Sequence, residues 1–237
     1  MIRALAALVC LAASPAAALI CTQTVFDGTP YSYCEADPAS DHISIVAQDA
    51  DGLPYGTFSA LTAAIGPVGM AMNAGMFHAD LRPAGLFIEN GETVTPLVTR
   101  AGPGNFGMLP NGVFCVGHGT AQVIETLAFA AAPPTCRYAS QSGPMLVIDG
   151  ALHPRFLRTS TSRYVRNGVG TTADGSRAVF VISDRPVSLF DFARFFRDGL
   201  GLPNALYFDG NVSRLYAPQL GRDDAGRPVG PMVVVAQ

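Results

Sequence analysis

Four polar clusters interrupt the apolar runs of this chain: Asn73-Ala-Gly-Met-Phe77, Gln141-Ser-Gly-Pro144, Arg163-Tyr-Val-Arg-Asn-Gly168 and Asp209-Gly-Asn211. Asn and Gln present a donor and an acceptor on a short stem, Arg presents a fork that fits two oxygens of an anion, and Gly lets backbone amides approach a ligand. A carboxylate among them can attack, stabilise or activate water at an electron-poor carbon. The mixture suits a polyhydroxylated ligand that carries phosphate. Each cluster alone also fits an ordinary turn. Asp209-Gly210 in particular joins two apolar runs in LYFDGNVSRLY, as a β-hairpin turn would. Eight other Asp-Gly or Asn-Gly pairs occur in the chain, so position has to separate Asp209 from the rest.

The elements that would position these residues are mostly strands. Short runs rich in Val, Ile and Phe alternate with Gly, Pro, Asn and Asp; examples are 42–47, 68–72, 112–116, 121–125, 145–148 and 232–235. Two helices stand out. One covers 57–65 and stops at Gly66-Pro67. The other starts at the N-cap Ser188, with Asp191 three residues on, carries Leu189, Phe192, Phe195 and Phe196 on one face, and stops at Gly199. Strands at 178–183 and 205–208 flank it, so the unit has the length of a parallel crossover. Both strands then end on one edge of the sheet, where ligands gather in open sheets. Asp184 leaves the first strand there and Asp209 leaves the second. The predicted class is α/β (α+β): a strand-rich mixed β-sheet with few helices, including a strand-helix-strand crossover at 178–208.

Composition narrows the function classes. The first 18 residues, MIRALAALVCLAASPAAA, read as a signal peptide. No later run is long and apolar enough for a permanent membrane anchor. We expect one exported domain over 19–237, periplasmic or secreted. Cys21, Cys34, Cys115 and Cys136 then lie in an oxidising compartment. We favour the pairs Cys21 with Cys34 and Cys115 with Cys136, each bracketing a segment of hairpin size. The chain has 15 cations, all Arg, against 18 acids and a net charge of −3, which gives no footprint for nucleic acid. Gly102-Pro-Gly-Asn-Phe-Gly107 matches a dinucleotide fingerprint literally but neither follows a clear strand nor opens a helix. No cofactor is expected, and no His, Cys or carboxylate spacing calls for a metal.

The order of NAGMF, RPAGLFIENG, NFGMLPNGVF, QSGPMLV, RNGVG with a following ADG, and YFDGNVS resembles the phosphodiester glycosidase domain family over residues 42–236. The resemblance implies an exported or lumenal α/β domain that cleaves the bond between a sugar's anomeric carbon and a phosphodiester. Asn73, Gly75, Arg166, Gly170, Asp209, Gly210 and Ser213 match its motifs. Ala74, Met76 and Asn211-Val212 depart from them. We expect Asp209 and Asp184 as the catalytic carboxylates. Arg166, with Arg82 and Arg163 behind it, is expected on the phosphate, and Asn73, Gln141, Ser142, Asn167, Asn211 and Ser213 around the sugar. The expected substrate is a phosphoglycan or envelope polysaccharide. A non-catalytic module that holds a glycan or phosphoglycan in the same crevice is the alternative from another class.

Overall fold

The computed structural model describes residues 19–237; the predicted signal peptide lies outside them. Three antiparallel sheets dominate. A seven-stranded sheet runs, in spatial order, Ile20–Phe26, Thr29–Ala36, Ala178–Ser183, Asn167–Thr171, Asn204–Asp209, Met145–Ile148 and Ala151–Leu152. One five-stranded sheet has Val68–Asn73 at its centre, between Leu215–Ala217 and Met232–Ala236. The other has Tyr138–Ser142 at its centre, between Phe87–Glu89 and Gly112–Val116. Residues of all three sheets, among them Phe180 and Phe208, Met72 and Val233, and Phe114, share one core.

Alternation explains how the seven-stranded sheet is packed. Phe180 and Ile182 point into that shared core, while Val179 and Val181 point to the other face, against Phe192, Phe195 and Phe196. Both faces of the strand are buried, so its sequence is apolar throughout. The covering helix, Leu189–Arg194, begins as expected: Ser188 Oγ accepts from Asp191 N at 3.0 Å and donates to Asp191 Oδ2 at 2.8 Å. It reaches Gly199 as a π turn, Phe195–Gly199.

The crossover is present with one strand inserted. Ala178–Ser183 and Asn204–Asp209 run parallel, and Asn167–Thr171 lies between them, antiparallel to both. Their carboxyl ends therefore share an edge without being neighbours. The hairpin expected after Asp209 does not form. Leu215–Ala217 pairs with Val68–Asn73 in another sheet, so Asp209-Gly210-Asn211 carries the chain between sheets. The two favoured disulfides, Cys21–Cys34 and Cys115–Cys136, are both present. Among the described residues no helix is long and apolar enough to cross a membrane.

Candidate active site

Where the chain passes between sheets, its backbone groups leave the ladders and need other partners. Buried side chains supply them. Asn167 Nδ2 donates to the carbonyl oxygen and Oδ1 of Asn73, at 2.8 and 3.0 Å. Asn167 Oδ1 accepts from Asp209 N at 3.1 Å and lies 3.2 Å from Ser213 Oγ. Asn73 Oδ1 also accepts from Arg214 N at 2.9 Å. Ser213 Oγ lies 3.0 Å from Val165 O and 2.9 Å from Asp209 O. Asn73 and Asn167 are fully buried. Together with Ser213 they form the floor that fixes the Asp209 turn, with their polar capacity taken up by one another and by backbone.

Asp209 stands on that floor and is 8% exposed. Its Oδ1 accepts from Gly210 N at 2.6 Å and Asn211 N at 2.7 Å; among the described residues Oδ2 accepts no hydrogen bond of normal geometry, although the Val212 amide is near enough to favour the charged form. Burial raises its proton affinity above that of an ordinary aspartate, against the opposing pull of the Asn211, Gly210 and Val212 amides and of Arg227. The carboxylate opens on a cleft of about 510 Å³, whose walls include Met76, Asn105, Tyr164, Tyr207, Gly210 and Asn211.

Arg166 lies behind this wall and is 1% exposed. Its Nε donates to Val187 O at 2.8 Å, Nη1 to Tyr207 Oη at 2.8 Å and Nη2 to Ser162 O at 3.0 Å. The guanidinium carbon sits 5.3 Å from the ring centres of both Tyr164 and Tyr207, which fits cation–π contact. Burial also pushes the Tyr207 phenol far above its ordinary range, against the pull of Arg166.

The other expected site residues lie elsewhere. Asp184 bonds Ser32 Oγ at 3.0 Å and pairs with Arg222, which also holds Asp224; it does not line the Asp209 cleft. Gln141 braces backbone: its Oε1 accepts from Leu86 N and Val98 N, and its Nε2 donates to Val98 O. Ser142 Oγ donates to Phe208 O at 3.0 Å. Arg82 and Arg163 are exposed and pair with Asp80 and Asp191.

Gly75 has φ +147°, and a Cβ there would lie 2.7 Å from Ser140 Oγ. Both features resist a side chain. Gly75→Ala should therefore lower the urea midpoint, by about 1–3 kcal/mol of stability at unchanged m-value.

Sequence reasoning missed Tyr207, Tyr164 and Asn105. Tyr207 had a usable signal, because it stands two residues before Asp209 on the same strand and period-two spacing favours a shared face. Asn105 lies in the rejected glycine motif, a loop closed by Gly102 N donating to Gly107 O at 3.1 Å. Among the described residues no group of three or more His, Cys, Asp or Glu could hold a metal ion.

A model of the phosphodiester glycosidase family matches residues 67–236, and the chain belongs to that family. The match takes in every residue of the floor, the turn and the Arg166 stack. The uncharacterised protein YigE of Escherichia coli K12 is 37% identical over 183 residues, 76% of this chain and 71% of that protein. The fold is shared with the catalytic domain of zebrafish N-acetylglucosamine-1-phosphodiester alpha-N-acetylglucosaminidase, solved in a form auto-inhibited by its pro-peptide. The TM-score there is 0.64 at 15% identity, covering 93% of this chain and 82% of that one. A hypothetical protein from Synechocystis gives 0.60 at 15% identity, covering 92% and 62%.

Proposed function

We propose that this protein is an exported hydrolase that cleaves a sugar-1-phosphodiester in a phosphoglycan or envelope polysaccharide, with Asp209 as its working carboxylate. The observation that carries this reading is the placement of Asp209: a buried carboxylate with one uncommitted oxygen, opening on a cleft beside a buried cation. Membership of the phosphodiester glycosidase family supports a glycosidase-type reaction. The two disulfides are compatible with an oxidising compartment, in line with the signal peptide read from the sequence.

Breaking the anomeric C–O bond builds positive charge on the sugar and negative charge on the departing phosphate. The leaving group departs as a phosphate-monoester anion, so a second carboxylate acting as acid is dispensable, and Asp184 is not needed at the bond. The positive field of Arg166 opposes the charge that grows on the phosphate. Raised proton affinity suits Asp209 to the role of base. It takes a proton from water as the water oxygen bonds to the anomeric carbon, and the C–O electron pair leaves with the phosphate.

A single displacement of this kind inverts the anomeric centre. Incubation of the purified mature protein with methyl-phosphate diesters of hexose 1-phosphates, followed by NMR, should release free sugar of inverted configuration together with methyl phosphate. Retention would reassign Asp209 as a nucleophile. Binding with no turnover across the panel would sink the hydrolase reading in favour of a non-catalytic phosphoglycan module.

A further inference from the structure

The buried cation of the cleft does not reach the cleft itself. Arg166 is 1% exposed and three of its nitrogens already donate to protein oxygens. The backbone of Gly210 covers it, since a Cβ there would lie 3.1 Å from Nη1. No carboxylate among the described residues forms an ion pair with it. Three hydrogen bonds and two tyrosine faces compensate its burial, while no paired carboxylate among the described residues cancels its field. The group that stands between this charge and the cleft is the Tyr207 hydroxyl.

That hydroxyl has a defined polarity. Its oxygen accepts from Arg166 Nη1 at 2.8 Å, so its own proton must point elsewhere. The Asn105 side chain, also on the cleft wall, is near enough to act on the phenol, but among the described residues Tyr207 Oη donates no hydrogen bond of normal geometry to a protein acceptor. Tyr207 lines the cleft beside Asp209. Burial holds the phenol in its protonated form. A phenol whose oxygen already accepts from a guanidinium is a stronger donor than a free one, because successive hydrogen bonds polarise one another.

We propose that Tyr207 is the ligand-facing member of this pair: its hydroxyl donates to a phosphate oxygen of the substrate, while Arg166 is a positioning residue that acts through it. This assignment rests on the reading of the cleft as a sugar-phosphodiester site. It also accounts for Gly210. A Cβ at that position would overlap the Tyr207 hydroxyl, so any side chain there would displace the donor.

Inorganic phosphate is the probe that separates this inference from the hydrolase reading, because it measures binding with no turnover. Titrated into the full mature protein by 31P NMR, phosphate should bind Tyr207→Phe about tenfold more weakly than wild type, the loss of one hydrogen bond to a charged group. Phosphate that binds both proteins equally, or does not bind wild type, would overturn the proposal. Absence of sugar release by wild type, with phosphate binding still weakened in Tyr207→Phe, would overturn only the hydrolase reading.

Two further measurements bear on the same donor, the first of which holds even if Tyr207→Phe fails to fold. With 3-fluorotyrosine at position 207, shape is nearly kept and the phenol is more acidic. A more acidic phenol is the stronger donor, so phosphate at neutral pH should then bind more tightly than to wild type, and an unchanged affinity would count against the donor. Arg166→Lys should weaken phosphate binding in wild type but not in proteins lacking the Tyr207 hydroxyl. Equal weakening in both backgrounds would mean that Arg166 touches the anion itself, contrary to the assignment.

Discussion

Asp209→Asn is expected to lower kcat by about a thousandfold, the scale of a lost base, without lowering the thermal midpoint at neutral pH. The two effects have one cause. Asn keeps the side-chain oxygen that accepts from Gly210 N and Asn211 N, so the turn and its floor survive. It removes a charge that burial disfavours. Because the folded proton affinity of Asp209 is raised, the native state holds a proton at pH values where the unfolded chain has already released it. Wild-type stability therefore falls as pH rises from the ordinary aspartate pKa through the raised native one, and stays lowered above it. The variant lacks this term. Its margin over wild type should be absent in acid and fully developed at neutral pH. Paired thermal melts across that range, alongside sugar-release assays, measure both halves. A variant less stable than wild type at pH 7 would show that the ionised carboxylate helps to hold the fold.

This tension between stability and placement also separates what the sequence made visible from what it hid. Strand 178–183, the Ser188 helix and strand 204–209 could be read because both faces of the strands and one face of the helix are apolar, so their periodicity is strong. Their shared edge followed from connection length alone. Ile20–Phe26 and Tyr138–Ser142 were not read as strands. The first is a largely exposed edge strand, and the second, YASQS, is buried with few apolar side chains to mark it.

Side-chain direction was harder to see than edge. Asp184 follows Ile182 on the face that meets Ser32, where Arg222 neutralises it. Asp209 shares the cleft wall with Tyr207. Polar residues at strand ends were all candidates for ligand contact, because bracing a loose backbone and binding a hydroxyl call for the same donors and acceptors. Gln141 and Ser142 brace backbone. The sequence could not tell these from Asp209, since the deciding fact is which partners fold back onto each.

Asn167 shows how much the site depends on that bracing, and Asn167→Asp should be among the most damaging isosteric changes available. The substitution keeps Oδ1, which serves Asp209 N and Ser213 Oγ. It replaces Nδ2, the donor to Asn73 O and Asn73 Oδ1, with an oxygen. Two acceptors then face a third at hydrogen-bond distance inside a fully buried site. The loss should be about 3 kcal/mol, combining two unsatisfied buried groups with a desolvated charge. Protonation of the new carboxyl restores one donor and removes the charge, so the deficit should shrink as pH falls. Urea denaturation at two pH values reads this as a midpoint shift at constant m-value. Activity should fall with stability, because the amide of Asp209 is anchored on this side chain and a carboxylate displaced by about 1 Å can lose two orders of magnitude in rate. An Asn167→Asp protein of normal stability and full activity would mean that the turn holds Asp209 without the floor. The Asn73–Asn167–Ser213 network would then need another role, with direct contact to the sugar the first to test.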